Sequence, residues 1–311
     1  MSQVTSIHPA PSRIMEPGPL SDGSRQGTLR DFITLAKLGI TVSNLLTVFT
    51  GMWLASDGYL SFRLVFFTLV GTALVIASGC YLNNYIDRDL DRHMPRTQSR
   101  PLPNGRVGAK TVLWTGLGLG IVGAAILLLL VNPFSCLLSL VGLFVYVVIY
   151  TIWLKRTSTL NTVIGGISGA VPPLIGWAAV TGSLNLTAWV LFIIMFLWQP
   201  PHFLALAMRR VEDYRAGGIP MLPVVRGFEV TKHQMLRYVA ALVPASLLLY
   251  GLQVVGALYL VVAIVLSVVY LVLSIKGLFA KDDMYWAKGM FKYSLVYMMV
   301  LFIAMIVSVH P

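Results

Sequence analysis

Nine apolar runs of about twenty residues each, over positions 33–56, 64–86, 111–131, 134–154, 162–181, 186–207, 236–254, 257–275 and 291–309, leave this chain few folds to choose from. Roughly 20 apolar residues in helical form cross a hydrocarbon core of about 30 Å. Lipid offers no hydrogen-bond partner, so a spanning segment must satisfy its own backbone, which a helix does and an open strand cannot. The expectation is an all-α polytopic membrane protein with about nine transmembrane helices. Charge agrees: only 11% of the 311 residues are charged, against about a quarter in a soluble domain.

Residues 1–29 stand apart from this pattern. They are rich in Ser, Pro and Gly, contain Glu16 and Asp22, and lack a basic stretch leading into an apolar core. That argues against a signal peptide and predicts a disordered cytoplasmic tail ahead of one intramembrane domain over 30–311. Cys80 and Cys136 fall toward opposite membrane faces, so no disulfide joins them, and no Cys-x-x-Cys or Cys/His cluster suggests zinc.

The connections between runs alternate in character. Those after the first, third, fifth and seventh are short and nearly uncharged, whereas 87–110, 155–161, 208–235 and 276–290 carry the charge. Of 23 Lys and Arg residues, 22 fall on one side with the N-terminal tail, and only Arg63 falls opposite. The positive-inside rule places that side, and the N-terminus, in the cytoplasm of a bacterial cell membrane. The net charge of +11 is therefore mostly topology, with attraction to membrane lipid headgroups, and nucleic acid is not an expected partner.

Against this apolar background, Asn83, Asp87 and Asp91 close the second run at i, i+4, i+8. At 3.6 residues per turn they drift only about 40° per step, so one helix face carries an amide and two carboxylates. Ionisable groups at membrane depth cost about 2.5–3.5 kcal/mol each on insertion scales and are seldom kept without use. Oxygen-only ligands at this spacing suit Mg2+, a hard cation usually held jointly by carboxylates and substrate phosphates. Asp89 points about 180° away and is expected to meet solvent or a basic loop residue.

Arg92, Arg96 and Arg100 follow, again four apart, although Pro95 interrupts any helix there. Guanidinium forks match phosphate oxygens, so these arginines read either as a phosphate clamp or as plain topology signals. Asn44 lies at depth as interhelical glue or cavity lining, and Gly165, Gly166 and Gly169 signal close helix packing before chemistry.

Asn-x-x-x-Asp-x-x-x-Asp followed by Arg96-Thr97-Gln98-Ser99-Arg100-Pro101-Leu102 resembles the first motif of the UbiA-type intramembrane prenyltransferases. That resemblance implies nine transmembrane helices around a central cavity, with Asn83, Asp87 and Asp91 holding Mg2+ and the diphosphate of an isoprenyl donor. It extends Arg92, Arg96, Arg100, Tyr150 and Lys155 as diphosphate contacts, although Lys155 also reads as an ordinary snorkelling lysine.

Later segments resemble the branch of that family whose acceptor is heme. They are Tyr150–Arg156, Gly169–Trp177, Trp198-Gln199-Pro200-Pro201-His202-Phe203, Glu212-Asp213-Tyr214 and Gly218–Pro223. The implied reaction joins farnesyl diphosphate to a vinyl group of protoheme, giving heme O, with heme as substrate rather than cofactor and a downstream heme A synthase as candidate partner. Where other members carry a second Asp-x-x-x-Asp, this chain has Glu212-Asp213, which the resemblance offers as further metal ligands. His202 is offered as an iron ligand, a heme positioner or a base beside the vinyl group; its alternative is a hydrogen-bonded helix-end histidine distorted by Pro200 and Pro201.

Three competing classes remain. A prenyltransferase acting on a quinone precursor shares the first motif. A CDP-alcohol phosphotransferase needs a glycine where Asn83 stands. A transporter keeps its buried charges near mid-bilayer, whereas these cluster at one face.

Overall fold

The computed structural model describes residues 27–309, so residues 1–26 of the expected tail lie outside the described residues, while Thr28 and Leu29 belong to the start of the first helix. It is all-helical, with no strand among the described residues beyond an isolated bridge between Val255 and Val309. In chain order the helices are α1 (Leu29–Ala36), α2 (Leu38–Ala55), α3 (Phe62–Ile86), α4 (Arg88–His93), α5 (Ala109–Leu130) and α6 (Pro133–Phe144). A π-helical segment (Val145–Leu154) continues α6 into α7 (Lys155–Thr157). Then come α8 (Asn161–Ala170), α9 (Pro172–Thr181), α10 (Leu186–Arg209), α11 (Val211–Ala216), α12 (Leu222–Val225), α13 (Gly227–Gly251), α14 (Ala257–Leu278) and α15 (Asp283–Val307). Eight of these helices or helix pairs are long and apolar enough to cross a membrane. The seventh expected run lies in α13, whose first turns carry Glu229, Lys232 and His233 and dilute its apolar content.

Several runs read as single helices are divided, each for a local reason. Lys37 takes a left-handed conformation (φ 50°) between α1 and α2. Pro172 and Pro173 lack the N–H groups that would continue α8, so a new helix begins there. Pro200 and Pro201 leave α10 assigned as one helix through the expected distortion. Both are buried, and α8, α13 and α15 pack against α10. The carboxylate motif is also not on one unbroken helix, because Asp87 (φ −84°, ψ 2°) joins α3 to α4. The i→i−4 bonds from Asp87 N to Asn83 O (2.9 Å) and Asp91 N to Asp87 O (2.8 Å) survive, so the three side chains still follow one line. The helix then stops at His93, with Met94 extended ahead of Pro95.

Contacts between elements close a ring in the order α2, α3, π-segment, α8, α10, α15 and back to α2. Outside it, α5 backs α3, α9 backs α2, and α13 and α14 pack behind α10 and α15. Small residues set the closest crossings. Gly51 of α2 faces the Pro173 backbone, and Gly176 of α9 faces the Val48 carbonyl, where a methyl group would overlap main-chain atoms. Gly176→Ala is therefore expected to force α2 and α9 apart and destabilise by about 1–3 kcal/mol. A lowered thermal midpoint in detergent checks this, with Gly118→Ala, whose added methyl meets nothing within 4 Å, as the neutral comparison.

Candidate active site

The ring encloses a cavity of about 620 Å³. Where α3 and the π-segment end, its lining is polar and charged: Asn83 with Lys37, Asp91, Arg96, Arg100 and Lys155. Deeper, it is apolar and aromatic, with Ile76, Leu143, Ile175, Trp198, Phe291 and Met298 among the lining residues. Ile40, Phe203 and Leu295 line it while also being exposed on the outer surface, so the wall where α2, α10 and α15 meet opens sideways.

Asp87 and Asp91 are buried, at 0% and 2% relative exposure. Each holds a cation from another part of the chain. Lys155 Nζ donates to Asp87 Oδ2, and Arg100 donates to Asp91 Oδ2 at 2.7 Å. Asn83 Nδ2 donates to the same Asp87 oxygen (2.7 Å) and to Thr151 Oγ1 (3.2 Å), while its own Oδ1 accepts from Lys37 Nζ at 2.9 Å. Thr97 donates to the Asp91 carbonyl (2.8 Å), tying the arginine-bearing loop to the carboxylate turn. Asp87 covers itself with Lys155 and so does not reach the cavity surface; its Oδ1 is buried without a hydrogen-bond partner, with Arg156 Nη2 standing 3.9 Å away. An acceptor left in that state costs about 1–3 kcal/mol unless something electropositive meets it.

This geometry fits a divalent ion. The donors are oxygens, one carboxylate oxygen awaits a partner, and cations surround the position where an anion would enter. Among the described residues no three His, Cys, Asp or Glu side chains converge, so water and substrate phosphates would have to complete the shell of any ion held there.

Tyr150 and Lys155 reach this end through the π-helix. An i→i+5 repeat adds a residue to each turn, so Tyr146, Tyr150 and Lys155, spaced four and five apart, share a face. In an ordinary α-helix Lys155 would lie about 140° round from Tyr150. Tyr146 and Tyr150 stack at 5.8 Å between centroids, and Thr151 Oγ1 donates to Tyr146 O at 2.8 Å.

Other expected residues separate. Arg96 and Arg100 line the cavity, whereas Arg92 does not. Asp213 lies beside Arg96 (3.8 Å) and Arg210 (3.9 Å). Glu212, 78% exposed, turns away and pairs with Arg215, so the structure does not bring it to the carboxylate pair. Asp89 meets a basic residue as expected: two Arg156 N–H groups donate to it at 2.8 Å. Those bonds hold its carboxyl down to about 2, below the usual 3.8. With the folded value lowered, the stability this pair contributes is fully present above about pH 4 and is lost as pH falls through about 2. The difference in thermal midpoint between wild type and Asp89→Asn is expected to shrink over that window.

His202 lies in the aromatic wall, lining the cavity. Trp198 and Phe291 flank its ring, each at 4.7 Å between centroids. Ser294 Oγ, 2.7 Å away, occupies Nδ1, leaving Nε2 as the nitrogen without a protein partner among the described residues. Asn44 also lines the cavity. Sequence reasoning missed Lys37, Tyr146 and Ser294. Lys37 left one signal, a single lysine at the start of a long apolar run; Ser294 left none, because 92 residues separate it from His202.

Known proteins share the sequence pattern and the fold. The pattern of the UbiA prenyltransferase family matches residues 44–296. The protoheme IX farnesyltransferase of Alkalihalophilus pseudofirmus is 54% identical over 304 residues, covering 96% of each chain. Among solved structures, a digeranylgeranylglyceryl phosphate synthase superposes with a TM-score of 0.76 at 19% identity, covering 90% of this chain and 98% of that one. A UbiA homologue from Archaeoglobus fulgidus bound to DMAPP and Mg2+ superposes with a TM-score of 0.65 at 13% identity, covering 89% and 99%. With one family pattern running from α2 into α15 and a relative matched almost end to end, the chain belongs to the UbiA prenyltransferase family.

Proposed function

We propose that this protein transfers a farnesyl group from farnesyl diphosphate to a vinyl group of protoheme, giving heme O. The observation that carries the reading is a single cavity joining a cluster of buried carboxylates and cations to an aromatic, apolar chamber. The acceptor follows from the name of the Alkalihalophilus relative, and the use of Mg2+ with an isoprenyl diphosphate from the ligands of the Archaeoglobus structure.

Asn83, Asp87 and Asp91 are the residues that would hold Mg2+, with Asp213 the nearest further carboxylate on the facing loop. When bound, Mg2+ neutralises charge building on the departing diphosphate. Lys155 and Arg100 have a second role open to them. With those carboxylates given over to Mg2+, Lys155 and Arg100 would be free to meet the diphosphate oxygens alongside Arg96 and Lys37. The donor C1–O bond breaks with its electron pair leaving on diphosphate. The vinyl π pair of protoheme closes the new carbon–carbon bond, and water adds at the ring-side carbon and loses a proton. Leu143, Ile175 and Met298 exclude water from the allylic cation until that bond has formed. The sideways opening admits an isoprenyl tail and a porphyrin from the bilayer, and the charged end faces the cytoplasm, as the distribution of Lys and Arg supports.

Purified protein in detergent, supplied with Mg2+, protoheme and farnesyl diphosphate, tests this by mass spectrometry of the extracted pigment. A hydroxyethylfarnesyl adduct on heme is the expected product. Unchanged protoheme together with prenylation of an added aromatic acid would assign the protein to quinone-precursor chemistry instead.

A further inference from the structure

Beside the wall opposite the carboxylates, behind the cavity-lining Leu206 and Phe291, stands a cation that the donor chemistry leaves unused. In the ring of helices, α3 and the π-segment stand across from α10 and α15. Trp198, His202, Leu206 and Arg209 fall within about 80° of one another on α10, giving that helix one continuous face. Arg209 sits over the Phe291 ring, 4.9 Å from its centroid. Phe291 in turn stacks on His202, and His202 on Trp198. Its neighbours Arg210 and Arg215 each face a carboxylate, at Asp213 and Glu212. Arg209, among the described residues, has the face of Phe291 as its partner instead.

Resting on the reaction proposed above, we infer that Arg209 pairs with a propionate carboxylate of protoheme and so fixes which edge of the macrocycle meets the donor. Protoheme carries its vinyl groups and its propionates on opposite edges. For a vinyl carbon to meet the allylic C1 near Asp87 and Asp91, the propionates must point toward the other wall. A carboxylate entering that partly buried position needs a cation, because burying it unpaired is prohibitive. Arginine suits the role: its planar fork meets a carboxylate in bidentate fashion, and its hydrophobic face packs on an aromatic ring. Arg209 lies seven residues beyond His202, about 10 Å along the axis. Helical side chains lean toward the N-terminus, which brings its guanidinium back toward the His202 level.

The test compares protoheme with its dimethyl ester as acceptors, in the wild-type enzyme and in Arg209→Gln and Arg209→Lys. A charge-assisted pair of this kind is expected to change affinity by about tenfold or more. Wild type should therefore show a KM about tenfold higher for the ester than for protoheme. Arg209→Gln should raise the protoheme KM to the level of the ester, leaving the ester and farnesyl diphosphate values in place, and Arg209→Lys should recover part of the preference. The inference is overturned if wild type accepts acid and ester equally, if Arg209→Gln weakens both acceptors alike, or if the farnesyl diphosphate KM moves instead. The wild-type ester comparison decides the matter even if Arg209→Gln fails to fold. Loss of the proposed function itself looks different, since wild type would then make no heme product from either acceptor.

Discussion

Asp87→Ala and Asp91→Ala are each expected to reduce kcat by about a thousandfold or more, because one oriented charge at the departing group commonly supplies about 2.7–4 kcal/mol and each carboxylate anchors several such groups. Removing Asp87 takes away the proposed metal ligand, the acceptor for Asn83 Nδ2 and the counter-ion of Lys155, whose side chain is only 13% exposed. Removing Asp91 releases Arg100 from its 2.7 Å pair and so loosens the arginine-bearing loop over the cavity. Asp87→Asn separates charge from shape, since the amide keeps an oxygen in place but loses the negative charge that draws Mg2+. Turnover of detergent-purified protein across a magnesium titration is the measurement. Both alanine variants turning over like wild type would remove these residues from the chemistry.

His202→Ala is expected to lower kcat/KM for protoheme by about a hundredfold while leaving the affinity for farnesyl diphosphate in place, given losses of about 1.5–3 kcal/mol for a positioned polar contact plus the stacking removed with the ring. The imidazole is wedged between Trp198 and Phe291, and Ser294 holds Nδ1, so Nε2 has one fixed direction to offer a substrate. His202→Phe keeps the stack and removes the nitrogen. If the phenylalanine variant titrates protoheme like wild type in the Soret band, the ring serves packing alone. Lost donor binding with normal heme binding in His202→Ala would reverse the assignment of this wall.

The difference in legibility between these two walls has a physical cause. Asn83, Asp87 and Asp91 are spaced by single helical turns, so their clustering is a local property readable along the chain, and it survives the turn at Asp87 because the backbone bonds there remain i→i−4. Apart from the family resemblance, Lys155 was readable only as a basic residue at a helix end. Its approach to Asp87 depends on a π-helix, and no propensity along Val145–Leu154 distinguishes that segment from a plain apolar α-helix. The same limit applies to Lys37, whose Nζ reaches Asn83 from 46 residues away. Glu212 and Asp213 are adjacent in sequence, so they read as a pair; the direction of the short α11 sends one toward Arg96 and the other into solvent. Pro200 and Pro201 read as a distortion because local rules treat proline as a breaker, yet packing of α8, α13 and α15 against α10 outweighs the missing bonds.

By itself the sequence determined the helical class, the number of apolar runs, the side on which charge gathers and the turn that carries the carboxylates, since each follows from interactions within a few residues and from the dielectric of the bilayer. Only the tertiary structure decided which cations sit on those carboxylates, where the cavity opens, and that an aromatic stack with His202 and Arg209 stands opposite them. Those features arise from helices packed across long sequence separations, where small residues set the spacing and no local pattern records the partner.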